Sequence, residues 1–111
     1  MKNVMQKTNA LIEAIEASNE YVQYQLLQNS IMKDEGVYGR LNEFRRRNFE
    51  IQMNCHVDPI DGSASLYQEY MDVLNRPEVK EYLDAELRYI KMIKKMQRKL
   101  DKHLNINIDF L

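Results

Sequence analysis

This 111-residue chain contains only three glycines, two prolines, one cysteine and two histidines. Few glycines and prolines mean few forced breaks, and with 30% charged residues this is the profile of long, well-solvated helices. A lone cysteine, Cys55, excludes an internal disulfide and a cysteine-based zinc site, and a single free thiol suits a reducing cytoplasm. Neither charge sign dominates: 17 acidic residues face 16 basic ones, so overall charge signals neither nucleic acid nor membrane. No apolar run approaches the roughly 20 residues of a membrane span. The first residues carry Lys2, Lys7, Glu13 and Glu16 and lack an unbroken apolar stretch, so they do not read as a signal peptide. These absences predict one soluble, cytoplasmic domain over residues 1–111, without membrane insertion.

What the chain does have is a long periodic segment from Pro77 to Leu104, uninterrupted by glycine or further proline. Val79, Leu83, Leu87, Ile90, Ile93, Met96, Leu100 and Leu104 recur at steps of three and four, which marks one face of an α-helix. At about 1.5 Å per residue the rod is roughly 40 Å long. A compact monomer of this size has a radius of gyration of only about 13 Å. The apolar stripe would overhang such a globule, so a second copy is its expected cover, in a homodimer or higher oligomer. Leu83, Glu86, Leu87, Ile90, Ile93, Gln97 and Leu100 are the expected interface residues.

Upstream, Val4, Leu11, Ile12 and Ile15 set a first helical stripe, and Ser18-Asn19-Glu20 reads as a cap that restarts the helix with a kink. The next stripe runs through Tyr21, Tyr24, Leu27 or Gln28, and Ile31, until Asp34-Glu35-Gly36 interrupts it. A third helix is predicted over about Val37 to Asn54, on the stripe Val37, Leu41, Phe44, Asn48, Ile51 and Cys55. Residues 56–62 (HVDPIDG) read as a loop and about Ser63 to Leu74 as a short helix. Pro77 suits the first turn of the last helix. The tail from 105 to 111 alternates Ile106, Ile108 and Phe110 with polar residues, the period of extended chain, and is expected to dock in a groove. The predicted fold is an all-α bundle of about three to five helices that self-associates through its long helices.

Catalytic constellations do not emerge. His56 and His103 lack a partner at metal-ligand spacing, and Cys55 continues an apolar stripe on which a free thiol behaves as a small hydrophobe. Arg45, Arg46 and Arg47 are the sharpest charged run, but at about 100° apiece they fan around a helix instead of lining one strip. One is expected to pass the core edge and another to pair with Glu43 or Glu50. The last helix adds Lys91, Lys94, Lys95, Arg98, Lys99 and Lys102, a candidate basic contact surface together with the arginine run. A solvated face tuned to the helix dipole explains the same residues, so nucleic acid is a possible partner and not the favoured one. Asn48, Glu86 and Gln97 interrupt the apolar stripes, where a polar residue costs stability and can fix register.

Three segments carry a family likeness: LIEAIEASNEY from Leu11 to Tyr21, LNEFRR from Leu41 to Arg46, and PEVKEYLDAE from Pro77 to Glu86. In that order and spacing the chain resembles the YlbF/YmcA family of small bacterial helical regulators. The resemblance implies an all-helical fold that associates through its long helices. It also implies a non-enzymatic partner in a complex linked to the ribonuclease that matures and degrades mRNA, with effects on competence, biofilm formation and sporulation. Some members carry additional cysteines associated with iron–sulfur clusters; with Cys55 alone, this chain is expected to hold no cofactor. The function expected is that of a regulatory or adaptor protein acting through protein–protein contacts, on itself and on other regulatory proteins. The alternative is an RNA-contacting accessory protein that uses the basic end of the last helix.

Overall fold

A computed structural model of the protein describes residues 1–54, 56 and 58–105. Those residues form six α-helices and no strand: α1 (Lys2–Glu16), α2 (Asn19–Met32), α3 (Glu35–Met53), α4 (Pro59–Glu69), α5 (Met71–Leu74) and α6 (Pro77–Leu104). The chain is all-α, as its periodicity predicts. It divides into two compact units, one of residues 1–25 with 84–111 and the other of residues 26–83.

The breaks between helices have local causes. Ala17 and Ser18 separate α1 from α2; the Ser18 hydroxyl donates to the Ile15 carbonyl at 2.5 Å and accepts from the Tyr21 N–H at 3.2 Å. The kink expected at this serine is therefore a hydrogen-bonded cap. Asp34 caps α3, its Oδ1 accepting from the Val37 N–H at 3.2 Å. At the far end of α6, Asn105 takes φ 52° and its N–H donates to the Asp101 carbonyl at 2.9 Å. Asparagine tolerates that left-handed conformation better than most residues, which makes it a natural helix stop.

Two boundaries differ from the sequence reading. Helix α4 starts at Pro59, inside the segment expected to be loop, because Asp58 acts as N-cap and accepts from the Ile60 N–H at 2.9 Å. Proline is favoured in the first helical turn, where its missing N–H would have had no partner. Asp61 and Gly62, read as part of that loop, lie within the helix. The single short helix expected up to Leu74 is two, because the backbone leaves helical geometry at Tyr70 (φ −105°, ψ 17°). That split accounts for six helices where three to five were expected. Cys55 and the Ile106–Phe110 tail lie outside the described residues.

The core of the 26–83 unit is built on the third stripe. Val37, Leu41 and Phe44 are buried on α3, with Leu66, Tyr70 and Val73 from α4, α5 and the bend between them, and Val79 and Tyr82 at the start of α6. Phe44 meets the Tyr67 ring edge-on at 5.1 Å between centroids and lies 5.7 Å from Tyr70. Asn48, the polar interruption of the stripe, accepts a hydrogen bond from the Ser63 hydroxyl at 3.1 Å, and Gln52 donates to that hydroxyl at 3.2 Å. The polar residue thus ties α3 to α4 at one register.

In the other unit, aromatic contacts join α6 to the start of α2. Tyr89 of α6 stacks on Tyr24 at 5.2 Å and meets Tyr21 edge-on at 5.6 Å. Both geometries suit aromatic quadrupoles. Helix α1 has no buried residue along its fifteen.

Candidate functional site

Tyr70 is the hub of the 26–83 unit. Its side chain is fully buried, and its hydroxyl donates to Glu43 Oε1 at 2.6 Å while accepting from Arg47 Nη1 at 3.1 Å. The Arg40 and Arg47 guanidinium groups lie 4.3 and 5.5 Å from the ring centroid, within cation–π range. Each arginine is also paired: Arg40 with Asp72 at 2.7 Å and Arg47 with Glu69 at 2.6 Å. Both hydrogen bonds favour the ionised partners. They raise the arginine pKa values and, through Arg47 and Arg40 respectively, hold Glu69 and Asp72 below the usual carboxylate range. The hub staples α3 to the α4–α5 bend.

The arginine run is therefore distributed. Arg46 pairs with Glu50 at 3.1 Å, one of the two partners expected from sequence, Arg47 joins the hub, and Arg45 lies over the Tyr82 ring at 5.4 Å. From sequence, Tyr70 is no more than a position within the short helix expected over about Ser63 to Leu74. The signal for its role is the seven-residue spacing of Arg40 and Arg47, which puts both cations on the same side of α3 as Phe44. A shallow cleft of about 270 Å³ lies beside the hub, lined by Asp34, Gly36, Val37, Arg40, Asp72, Val73 and Arg76. Its charges pair across short distances: Arg40 with Asp72, and Arg76 with Glu78 and, at 4.0 Å, with Asp34. Among the described residues no group of three or more His, Cys, Asp or Glu side chains could hold a metal ion. His56 is exposed and its backbone N–H donates to Asn54 Oδ1 at 2.9 Å.

The other candidate surface belongs to α1 and to α6 from Asp84 onward. Val4, Met5, Leu11 and Ile12 on α1 are 59, 49, 40 and 45% exposed. Of the interface residues expected on α6, Leu83, Glu86 and Ile93 are half-buried, while Leu87, Ile90, Gln97 and Leu100 are exposed. At about 100° per residue, Glu86, Ile90, Ile93, Gln97, Leu100 and Leu104 share an arc of about 80°, and Leu87 lies about 60° outside it. Lys91, Lys94, Lys95, Arg98, Lys99 and Lys102 are all exposed and, with Arg88, occupy a separate arc of about 140°. Of the basic residues on this helix, Lys102 and His103 lie in the last turn, where the dipole favours cations. No helix of the described residues is long and apolar enough to cross a membrane.

The match to a family model described as "Control of competence regulator ComK, YlbF/YmcA" extends over residues 4–105, from α1 through the end of α6. The chain belongs to the YlbF/YmcA family. Among its relatives, a UPF0342 protein of Caldicellulosiruptor bescii is 30% identical over 96 residues, 84% of this chain and 81% of that one. A UPF0342 protein of Halothermothrix orenii is 30% identical over 101 residues, covering 88% and 86%. A third, from Desulfitobacterium hafniense, is 29% identical over 100 residues, covering 86% and 80%. No solved structure matches the chain. Membership in the YlbF/YmcA family gives this all-helical protein a regulatory setting, and the relatives it matches are bacterial.

Proposed function

We propose that this protein is a non-enzymatic, cytoplasmic regulatory adaptor that self-associates and acts through protein–protein contacts. The observation that carries the reading is the uncovered apolar face of α1, a helix of fifteen residues with none buried. An amphipathic helix takes most of its stability from packing that face. A monomer rarely leaves such a contiguous patch in water. Ile90, Leu100 and Leu104 on α6, at 38, 50 and 61% exposure, extend the apolar surface available to a partner. The family's description places its members in control of the competence regulator ComK. A link to mRNA processing and developmental regulation follows from the resemblance alone and belongs to the same proposal.

Light scattering tests self-association. The wild type is expected to run as a dimer or larger, and Ile90→Asp with Ile93→Asp to yield monomers or aggregates. A wild-type chain that stays monomeric up to about 1 mM overturns the reading, because millimolar affinity marks the weak end of specific association.

A further inference from the structure

We propose that the basic stripe of α6, from Arg88 to Lys102, is a docking surface for the phosphate backbone of an RNA duplex. The stripe is unusual for a protein of net charge −1. Residues 88–102 hold seven basic residues and one acid, a net of +6, so the other 9 basic and 16 acidic residues sum to −7. On the helical wheel every residue between 88 and 102 in an arc of about 140° is lysine or arginine, and the remaining ones lie outside it.

Helix-dipole tuning does not account for this arrangement. The dipole favours cations within the last turn, whereas Arg88, Lys91 and Lys95 lie two or more turns before the end. A solvated face built for stability would alternate charges, but here Lys91–Lys95, Lys94–Arg98, Lys95–Lys99 and Arg98–Lys102 are like-charged i,i+4 neighbours that oppose helix formation. Among the described residues Arg40, Arg46, Arg47 and Arg76 form ion pairs, and none of the stripe's cations takes part in one. The stripe also points away from the apolar arc of the same helix, so it stays open when that face is covered. The inference thus stands whether or not the protein self-associates.

The chemistry of the stripe selects the partner. A band of cations about 21 Å long, stepping by roughly 5 Å per turn, presents point charges to a regular array of phosphates. Single-strand binders add aromatic platforms for the bases, and none lies on this arc. Helices that read a DNA major groove combine arginine or lysine on guanine with amide or hydroxyl side chains on the other bases, and the arc has no amide or hydroxyl residue. Duplex RNA keeps its major-groove base edges in a deep, narrow groove that side chains cannot read and is gripped by shape, phosphates and 2′-hydroxyls, for which lysine and arginine suffice.

Fluorescence anisotropy with a labelled RNA duplex of about 20 base pairs tests the proposal, against a DNA duplex of equal length, single-stranded RNA and anionic vesicles. The RNA duplex should bind most tightly, with affinity falling steeply between about 50 and 200 mM salt. Lys91→Gln, Lys95→Gln and Lys99→Gln together should weaken binding tenfold or more and flatten the log–log salt slope by about three. Glutamine is a good helix former and these sites are exposed, so circular dichroism should be unchanged. Arg46→Gln, on α3, should bind as wild type. Absence of RNA binding at low salt, binding unaffected by the triple substitution, or tighter binding to DNA, single strands or vesicles each overturns the proposal.

Discussion

Replacing Tyr70 with phenylalanine removes one oxygen from the best-connected point of the 26–83 unit. That oxygen donates to Glu43 at 2.6 Å and accepts from Arg47 at 3.1 Å, and the ring that carries it is wholly buried. The ring, its packing on Phe44 and the arginines above it all survive the change. The loss is therefore confined to the hydroxyl's hydrogen bonds. A hydrogen bond to a charged group contributes about 1.5–3 kcal/mol. Glu43 is exposed and recovers part of this from water, so about 1–2 kcal/mol is expected. For a chain of this size each kcal/mol moves Tm by about 4–8 °C, so the drop should lie between about 4 and 16 °C. The assay is thermal and urea denaturation followed by circular dichroism at one fixed protein concentration, since any self-association makes apparent stability concentration-dependent. Glu43→Ala should then cost little further in the Tyr70→Phe background, because their shared bond is already gone. A Tm within a degree of wild type, or additive effects of the two substitutions, would refute the hub.

Two further tests address the same unit. Phe44→Ala should cost about 3–5 kcal/mol, because the ring is 6% exposed and packs between Tyr67 and Tyr70; an unchanged urea midpoint would remove Phe44 from the core. Glu69 and Asp72 have folded-state pKa values below their unfolded ones, so their contribution is present above the unfolded value of about 4 and disappears as pH falls through the folded one. Tm should accordingly be flat from about pH 6 to 8 and fall below about pH 4, while Arg40→Gln with Arg47→Gln should narrow its deficit against wild type as acid is added. A deficit independent of pH would show that the two ion pairs do not stabilise the fold.

The candidate surfaces are partly legible in the order of residues. Apolar and basic arcs on α6 follow from that order alone, since a helix of known pitch places every side chain by number. The clustering of Tyr70 with Arg40 and Arg47 is not legible in this way, because the residues are separated by more than twenty positions and their meeting depends on how α3 packs against the α4–α5 bend. Adjacent arginines that look equivalent on paper end with different partners for the same reason.

By itself, the sequence determined the class and punctuation of the fold. Three- and four-residue periodicity marks helices, Ser18 and Asp34 act through hydrogen bonds to their own neighbourhood and Pro77 through its fixed φ, so the kink, the start of α3 and the start of α6 were all readable. Pro59 shows where local reading was ambiguous: the same residues can form a turn or open a helix, and the Asp58 cap makes them open one. Tertiary structure alone decided what the helices bury. Tyr70, on a broken helix, became the fully buried hub, whereas α1, with an equally regular stripe, buries nothing. Periodicity shows that a helix has an apolar face, but burial requires a surface to meet it, and whether one exists depends on parts of the chain distant in sequence.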